Sequence, residues 1–145
     1  NSLFIVNDRI DIALAVDADG IHLGQEDIPT KIARELLGTE RLIGRSTHCL
    51  ADIKDAEQEG CDYIGIGPIF PSETKKQLNP IGIDYLKKGL SETLLPAFAI
   101  GGINSSNIKK LIKINNLRIA VSNAIMNSND PFSKTEELIK CLTCN

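Results

Sequence analysis

Short apolar runs recur along the chain, each followed by enough sequence for a helix. LFIVN, GIHLG, RLIGRS, YIGIGP, PAFAIGG and RIAVSNA are rich in Ile, Val and other apolar residues, and most end at Gly, Asn or Ser. Their apolar character is continuous rather than alternating, which predicts strands buried on both faces, as in a parallel sheet. Between them DRIDIALAVDA, IPTKIARELLG, LADIKDAEQEG, IDYLKKGLSET and SSNIKKLIKIN carry helical spacing, and DPFSKTEELIKCLTC predicts a final helix. Pro29 near the first turn and Gly38 after the last bound the second of these helices.

This rhythm predicts six β-α units in a row and an α/β protein with a parallel sheet. No linker or low-complexity segment divides it, so residues 1–145 read as one domain. An open doubly wound sheet and part of a (β/α)8 TIM barrel both fit. The first strand lacks the G-x-G-x-x-G turn of the dinucleotide fold. Polar residues also gather at the C-terminal ends of the strands, where a barrel carries its active site. The expectation is therefore the (β/α)8 family, as an incomplete barrel. The chain opens at Asn1 and enters a strand pattern almost at once, which reads as an N-terminal truncation.

Composition narrows the function. With 42% hydrophobic and 24% charged residues the chain can bury a core, and a net charge of −3 argues against a broad nucleic-acid surface. Any bound anion is held by a few local groups. No apolar run approaches the roughly 20 residues of a membrane span and no signal-peptide pattern opens the chain, so a cytoplasmic protein is expected. Among the four cysteines, Cys61 reads as a buried, inert thiol. Cys141 and Cys144 form a C-x-x-C at the chain terminus with no further zinc ligands nearby, which reads as two reduced thiols.

The predicted strand ends supply the candidate chemistry. They are Asn7 and Asp8; Gln25, Glu26 and Asp27; Ser46, Thr47 and His48; Ser72, Glu73, Thr74, Lys75 and Lys76; Gly101 and Gly102; and Ser122 and Asn123. Asp8 and Asp27, on neighbouring strands, suit a magnesium ion, which favours one or two carboxylates, waters and substrate phosphate oxygens. Either carboxylate could instead cap the helix that follows it. Ser72, Thr74 and Lys75 suit an oligophosphate, with hydroxyl and loop N–H donors beside a point charge. In AIGGINSSN the paired glycines let a phosphate approach the backbone, and a following helix would favour its charge. Ser122 and Asn123 would form a second wall. His22, inside a strand, reads as a hydrogen-bonded core histidine, and His48 has no partner in sequence that demands a catalytic triad.

FIVNDRIDIALAVDADGIHLGQED, GRSTH, DYIGIGPIFPSETKK with its later PIG, and AFAIGGI together resemble the thiamine phosphate synthase family across nearly the whole chain. The resemblance implies a (β/α)8 barrel that joins a pyrimidine methyl diphosphate to a thiazole phosphate with Mg2+, releasing pyrophosphate by a dissociative path. It implies Asp8 and Asp27 as magnesium ligands and Asn7 as a diphosphate contact. Ser46 would lie near the pyrimidine and pyrophosphate. Ser72, Thr74 and Lys75 would form the pyrophosphate clamp, with Lys75 and Ser46 carrying the chemistry. Gly101 and Gly102 would receive the thiazole phosphate beside Ser122 and Asn123, although the family's common Val-Ser pair is displaced there.

Arg45 stands where an apolar residue is common. The family's first two β-α units, with their Gln-x-Arg-x-Lys type stretch, have no counterpart here, which implies an upstream segment or self-association at the open edges. A related thiazole tautomerase and a non-catalytic phosphate-binding remnant are the alternative readings.

Overall fold

The computed structural model describes residues 2–72, 77–115 and 117–143. The six apolar runs form six strands: β1 (Ile5–Asn7), β2 (Gly20–Leu23), β3 (Leu42–Thr47), β4 (Tyr63–Ile66), β5 (Ala97–Ala99) and β6 (Arg118–Ile119). Helices α1 (Ile10–Ala15), α2 (Thr30–Leu37), α3 (Leu50–Gln58) and α4 (Gly82–Ser91) follow the first four strands, and α5 (Asn123–Met126) and α6 (Pro131–Thr143) follow the sixth. Strand order in the sheet is chain order, β1 to β6, with β1–β2, β2–β3 and β5–β6 parallel. A doubly wound sheet reverses its order at a switch point, whereas successive order belongs to the β/α-barrel family.

The helix expected over residues 105–115 does not form as such. Only a 3-10 turn, Ile108–Lys110, appears there. The reason lies just upstream, where Asn side chains compete for backbone groups that a helix would use. Asn107 Oδ1 accepts from Asn104 N at 2.9 Å, Asn104 Oδ1 accepts from Ser106 N at 3.0 Å, and Asn107 Nδ2 donates to Gly102 O at 2.8 Å. Ile108 and Leu111 are nevertheless buried, so the apolar spacing serves burial without a full helix.

Contacts divide the chain into two compact units. One comprises Asn1–Gly65 with Gly89–Ala97, the other Ile66–Lys88 with Phe98–Asn145. In the first, alternation along the strands separates two faces. Ile21, Leu23 and Ile43 join Ala33 and Leu37 of α2 in one buried cluster, flanked by Ile10 and Ile28. Gly20, His22, Gly44 and Ser46 therefore occupy the opposite face, which is small and polar. The expectation of strands buried on both faces holds along β4, where Ile64, Gly65 and Ile66 are all buried, and at Gly20 and Gly44, whereas His22 and Ser46 are half-buried and β1 is half-buried to exposed. In the second unit Ile66, Ile69, Leu86, Ala99, Ile103, Ile108, Leu111 and Leu138 are buried.

The first unit is tied at the N-terminal ends of its strands by Arg34. Its guanidinium donates to Arg41 O at 2.7 Å, to Gly60 O at 3.3 Å and to Asp62 Oδ2 at 2.6 Å, and Asp62 Oδ2 also accepts from Ile43 N at 2.7 Å. Helix α3 begins with a reciprocal cap. Cys49 Sγ accepts from Asp52 N, and the Asp52 carboxylate accepts from Cys49 N at 3.1 Å and His48 N at 2.7 Å. Burial alone would raise the Asp52 carboxyl, but the Cys49 thiol and these two N–H groups outweigh it and hold it below the ordinary carboxylate range.

A carboxyl depressed in the folded state stabilises the fold at neutral pH and loses that contribution as pH falls through its folded value. Cys49→Ala therefore costs about 1 kcal/mol in urea unfolding at neutral pH. The gap from the parent chain narrows once the carboxyl is protonated in both.

Candidate active site at the strand ends

Asn7, the last residue of β1, lies in register with His22 of β2. Asp8 follows with φ 63, a left-handed conformation that Asp and Asn adopt far more readily than other side-chain-bearing residues. Its N–H donates to His22 O at 2.9 Å, so this turn carries the carboxylate at the C-terminal end of the strand pair. Both Asn7 and Asp8 are exposed.

Asp27 stands four residues beyond the end of β2, and its Oδ2 accepts from Gly24 N at 2.6 Å. A Cβ on Gly24 would approach that oxygen to 2.9 Å, so the glycine lets the carboxylate fold over the turn. Neither aspartate is a helix N-cap. Arg9 holds that position for α1 and Pro29 for α2. Two hard carboxylates at the C-terminal ends of adjacent parallel strands fit a magnesium ion completed by waters and phosphate oxygens. Among the described residues no group of three or more His, Cys, Asp or Glu side chains gathers to hold a metal unaided.

Ser46 lies two residues beyond Gly44, the register partner of His22, on the same face of β3. Its hydroxyl is 3.0 Å from His22 Nε2, and Gln25 Nε2 donates to its carbonyl at 2.5 Å. On the other side of the imidazole, Nδ1 is 3.1 Å from Tyr63 Oη. Burial pushes the Tyr63 phenol up to about 12, so it carries its proton throughout the physiological range.

His22 is hydrogen-bonded, as its sequence context predicts, but its partner is a candidate site residue. Sequence reasoning missed this His22–Tyr63 link. The signal was there in the period of two: His22 is on the face opposite Ile21 and Leu23, and Gly44 leaves room beside it.

Arg45 points the other way. Its guanidinium donates to the buried Thr30 hydroxyl at 3.0 Å and pairs with Glu59 Oε2 at 3.4 Å. The same Thr30 hydroxyl lies 3.6 Å from Cys61 Sγ, and burial raises that thiol, as expected of an inert core cysteine. Arg45 is therefore a tie among β3, α2 and the end of α3, with its side chain only 11% exposed, and takes no part in the Ser46 face.

In the second unit the loop after β4 presses on the glycine pair after β5. Phe70 N donates to Gly101 O at 3.1 Å and Ile69 N to Ile100 O at 2.9 Å. Gly101 and Gly102 have φ 97 and φ 65. A Cβ on Gly101 would meet Pro68 at 2.5 Å, and one on Gly102 would meet Pro71 O at 2.2 Å. These glycines are demanded by the loop that covers them, whatever ligand they also admit. The helix dipole expected to aid a phosphate at this turn is lacking, because a three-residue 3-10 turn stands there instead.

Ser122 precedes the single turn of α5 without a side-chain cap, and Asn123 Oδ1 accepts from Asn127 Nδ2 at 3.1 Å. Ser72 is half-buried at the end of the described part of its loop. Thr74 and Lys75 lie outside the described residues, as does Cys144.

The sequence profile of the thiamine monophosphate synthase family matches residues 1–125. The chain is 57% identical over 141 residues to the thiamine-phosphate synthase of Prochlorococcus marinus (strain MIT 9313), covering 97% of this chain and 40% of the relative. It is 49% identical over 142 residues to that of Thermosynechococcus vestitus (strain NIES-2133 / IAM M-273 / BP-1), covering 98% and 40%. The chain thus spans 40% of the length of these curated relatives.

Among solved structures, the thiamine phosphate pyrophosphorylase from Pyrococcus furiosus superposes with a TM-score of 0.88 at 41% identity, covering 97% of this chain and 67% of that one. The 3-hexulose-6-phosphate synthase from Salmonella typhimurium, at 18% identity and a TM-score of 0.66 over 92% of this chain and 65% of its own, shares the fold alone. Six strands in barrel order and a profile match over residues 1–125 agree with one another: the chain belongs to the thiamine monophosphate synthase family.

Proposed function

We propose that the chain carries the catalytic strand ends of a transferase that forms thiamine phosphate. The substrates are 4-amino-2-methyl-5-hydroxymethylpyrimidine diphosphate and 4-methyl-5-(2-hydroxyethyl)thiazole phosphate, and pyrophosphate is the second product. The observation that supports this best is the pair Asp8 and Asp27, carried past the ends of adjacent parallel strands in positions that serve no helix as a cap. Asp8 and Asp27 would hold Mg2+, which when bound supplies positive charge to a diphosphate leaving group.

Asn7 contacts the diphosphate, and Ser72, Thr74 and Lys75 clamp it as it leaves. Its departure breaks the bond between the methylene carbon and oxygen, giving a resonance-stabilised pyrimidine methyl cation. The thiazole nitrogen then donates its electron pair to that carbon. The substitution needs no general base, so the main task of the protein is to stabilise charge on pyrophosphate. Gly101 and Gly102, beside Ser122 and Asn123, receive the thiazole phosphate.

The reading is tested by calorimetric titration of the 145-residue chain with pyrophosphate, with and without Mg2+. Mg2+-dependent binding that weakens about tenfold in Lys75→Ala supports it, that being the expected worth of one charge-assisted contact. A chain that binds thiazole phosphate but not Mg2+-pyrophosphate would be a tautomerase-type site. Arg45→Met costs about 1–2 kcal/mol of stability, because Glu59 remains partly solvated, and leaves pyrophosphate affinity unchanged.

A further inference from the structure

The candidate chemistry on β2 and β3 rests on one unusual piece of packing. A Cβ built on Gly44 would lie 2.0 Å from the Tyr63 ring, so the phenol of β4 crosses directly over β3 at this glycine. It thereby reaches His22 on β2, the register partner of Gly44, with ring centroids 5.5 Å apart and planes at 34°. From His22 the path returns to β3 at Ser46, so one imidazole bridges two hydroxyls, 3.1 Å and 3.0 Å away. Ser46 Oγ has a single proton to place. Which atom donates along this path therefore decides where that proton is offered.

We infer that His22 is the positioning residue for Ser46: Tyr63 donates to His22 Nδ1, His22 Nε2–H donates to Ser46 Oγ, and the Ser46 proton is directed away from the imidazole toward the strand-end site. A phenol is a better donor than acceptor, and an imidazole nitrogen is a good acceptor, which sets the direction of the first bond. Once Nδ1 accepts, the proton of a neutral imidazole is at Nε2 and the second bond follows. The high Tyr63 pKa keeps the donor protonated. Gly44 is the residue that makes the crossing possible. The contribution to turnover rests on the coupling reading above, whereas the hydrogen-bond direction does not.

The chain has two histidines, so a 15N-histidine spectrum can be assigned with a His48→Gln variant. The relay predicts an acceptor-type Nδ1 and a protonated Nε2 for His22. In Tyr63→Phe, which keeps the ring that packs on Gly44, the two resonances move toward the averaged positions of exchanging tautomers. In Ser46→Ala, Nδ1 stays acceptor-type. A proton on Nδ1 in the parent chain, or a Tyr63→Phe spectrum identical to it, overturns the inference.

In coupling assays Tyr63→Phe lowers kcat about fivefold and leaves KM for both substrates within about twofold, the worth of one oriented hydrogen bond. An unchanged kcat overturns the positioning role. A parent chain without coupling activity refutes the proposed function, while the resonances still decide the relay.

Discussion

Asp8→Asn lowers thiamine phosphate formation on the order of 100-fold while the chain stays folded, the scale expected when a group that stabilises developing charge is lost. The substitution separates charge from conformation. Asp8 sits at φ 63, where Asn is as well tolerated as Asp, and its backbone N–H to His22 O does not involve the side chain. The variant therefore keeps the turn that ends β1 while removing the negative charge proposed to serve Mg2+.

Activity should recover in part at higher Mg2+, because affinity for the ion is what has been weakened. The thermal midpoint should match the parent within error. Asp8→Ala makes the contrast, since alanine at positive φ adds a backbone cost to the loss of charge. Rates as a function of Mg2+, beside unfolding curves for the three chains, check this. Equal rates for Asp8→Asn and the parent would remove Asp8 from the metal-binding role.

Gly102→Ala destabilises the chain by about 3 kcal/mol or more, against about 1 kcal/mol for Gly60→Ala. Both glycines have positive φ, 65 and 77, so both variants incur a backbone cost. They differ in what the new methyl group meets. At Gly60, just past the C-terminal cap of α3, nothing lies within 4 Å; at Gly102 the Pro71 carbonyl oxygen lies at 2.2 Å and Phe70 O at 2.8 Å. These are backbone atoms of a loop already bonded through Phe70 N to Gly101 O, so relief requires moving the loop after β4. Chemical denaturation of the two variants measures the difference directly. Similar losses at both positions would mean that the loop gives way easily and that glycine here is a matter of φ alone.

The element pattern was legible because burial and periodicity act locally. Six apolar runs became six strands in chain order, and Pro29 and Gly38 stand at the two ends of α2. The one large departure, at residues 105–115, came from side-chain competition. Asn104 and Asn107 bind the local backbone, a choice that apolar spacing alone does not reveal.

At the site, sequence order placed Asn7, Asp8, Asp27 and Ser46 past or near the C-terminal ends of β1 to β3, because those ends are fixed once the strands are recognised. What it could not show was contact across strands. The His22–Ser46 bond needs the register of β2 against β3, and the Tyr63–His22 bond needs a glycine beneath an aromatic ring. Arg45 illustrates the same limit: beside Ser46 in sequence, it faces the helices and Thr30 instead. Gly101 and Gly102 were read as room for a phosphate, and the covering loop supplies a second, independent demand for glycine at both positions.

The central claim is coupling, and one assay reaches it directly: formation of thiamine phosphate by the 145-residue chain from both substrates with Mg2+, beside Lys75→Ala. The account predicts product from the parent chain, dependence on Mg2+, and its loss in the variant. Binding of thiazole phosphate or thiamine phosphate with no product from the parent chain would contradict it, leaving a phosphate-binding member of the family in place of a synthase.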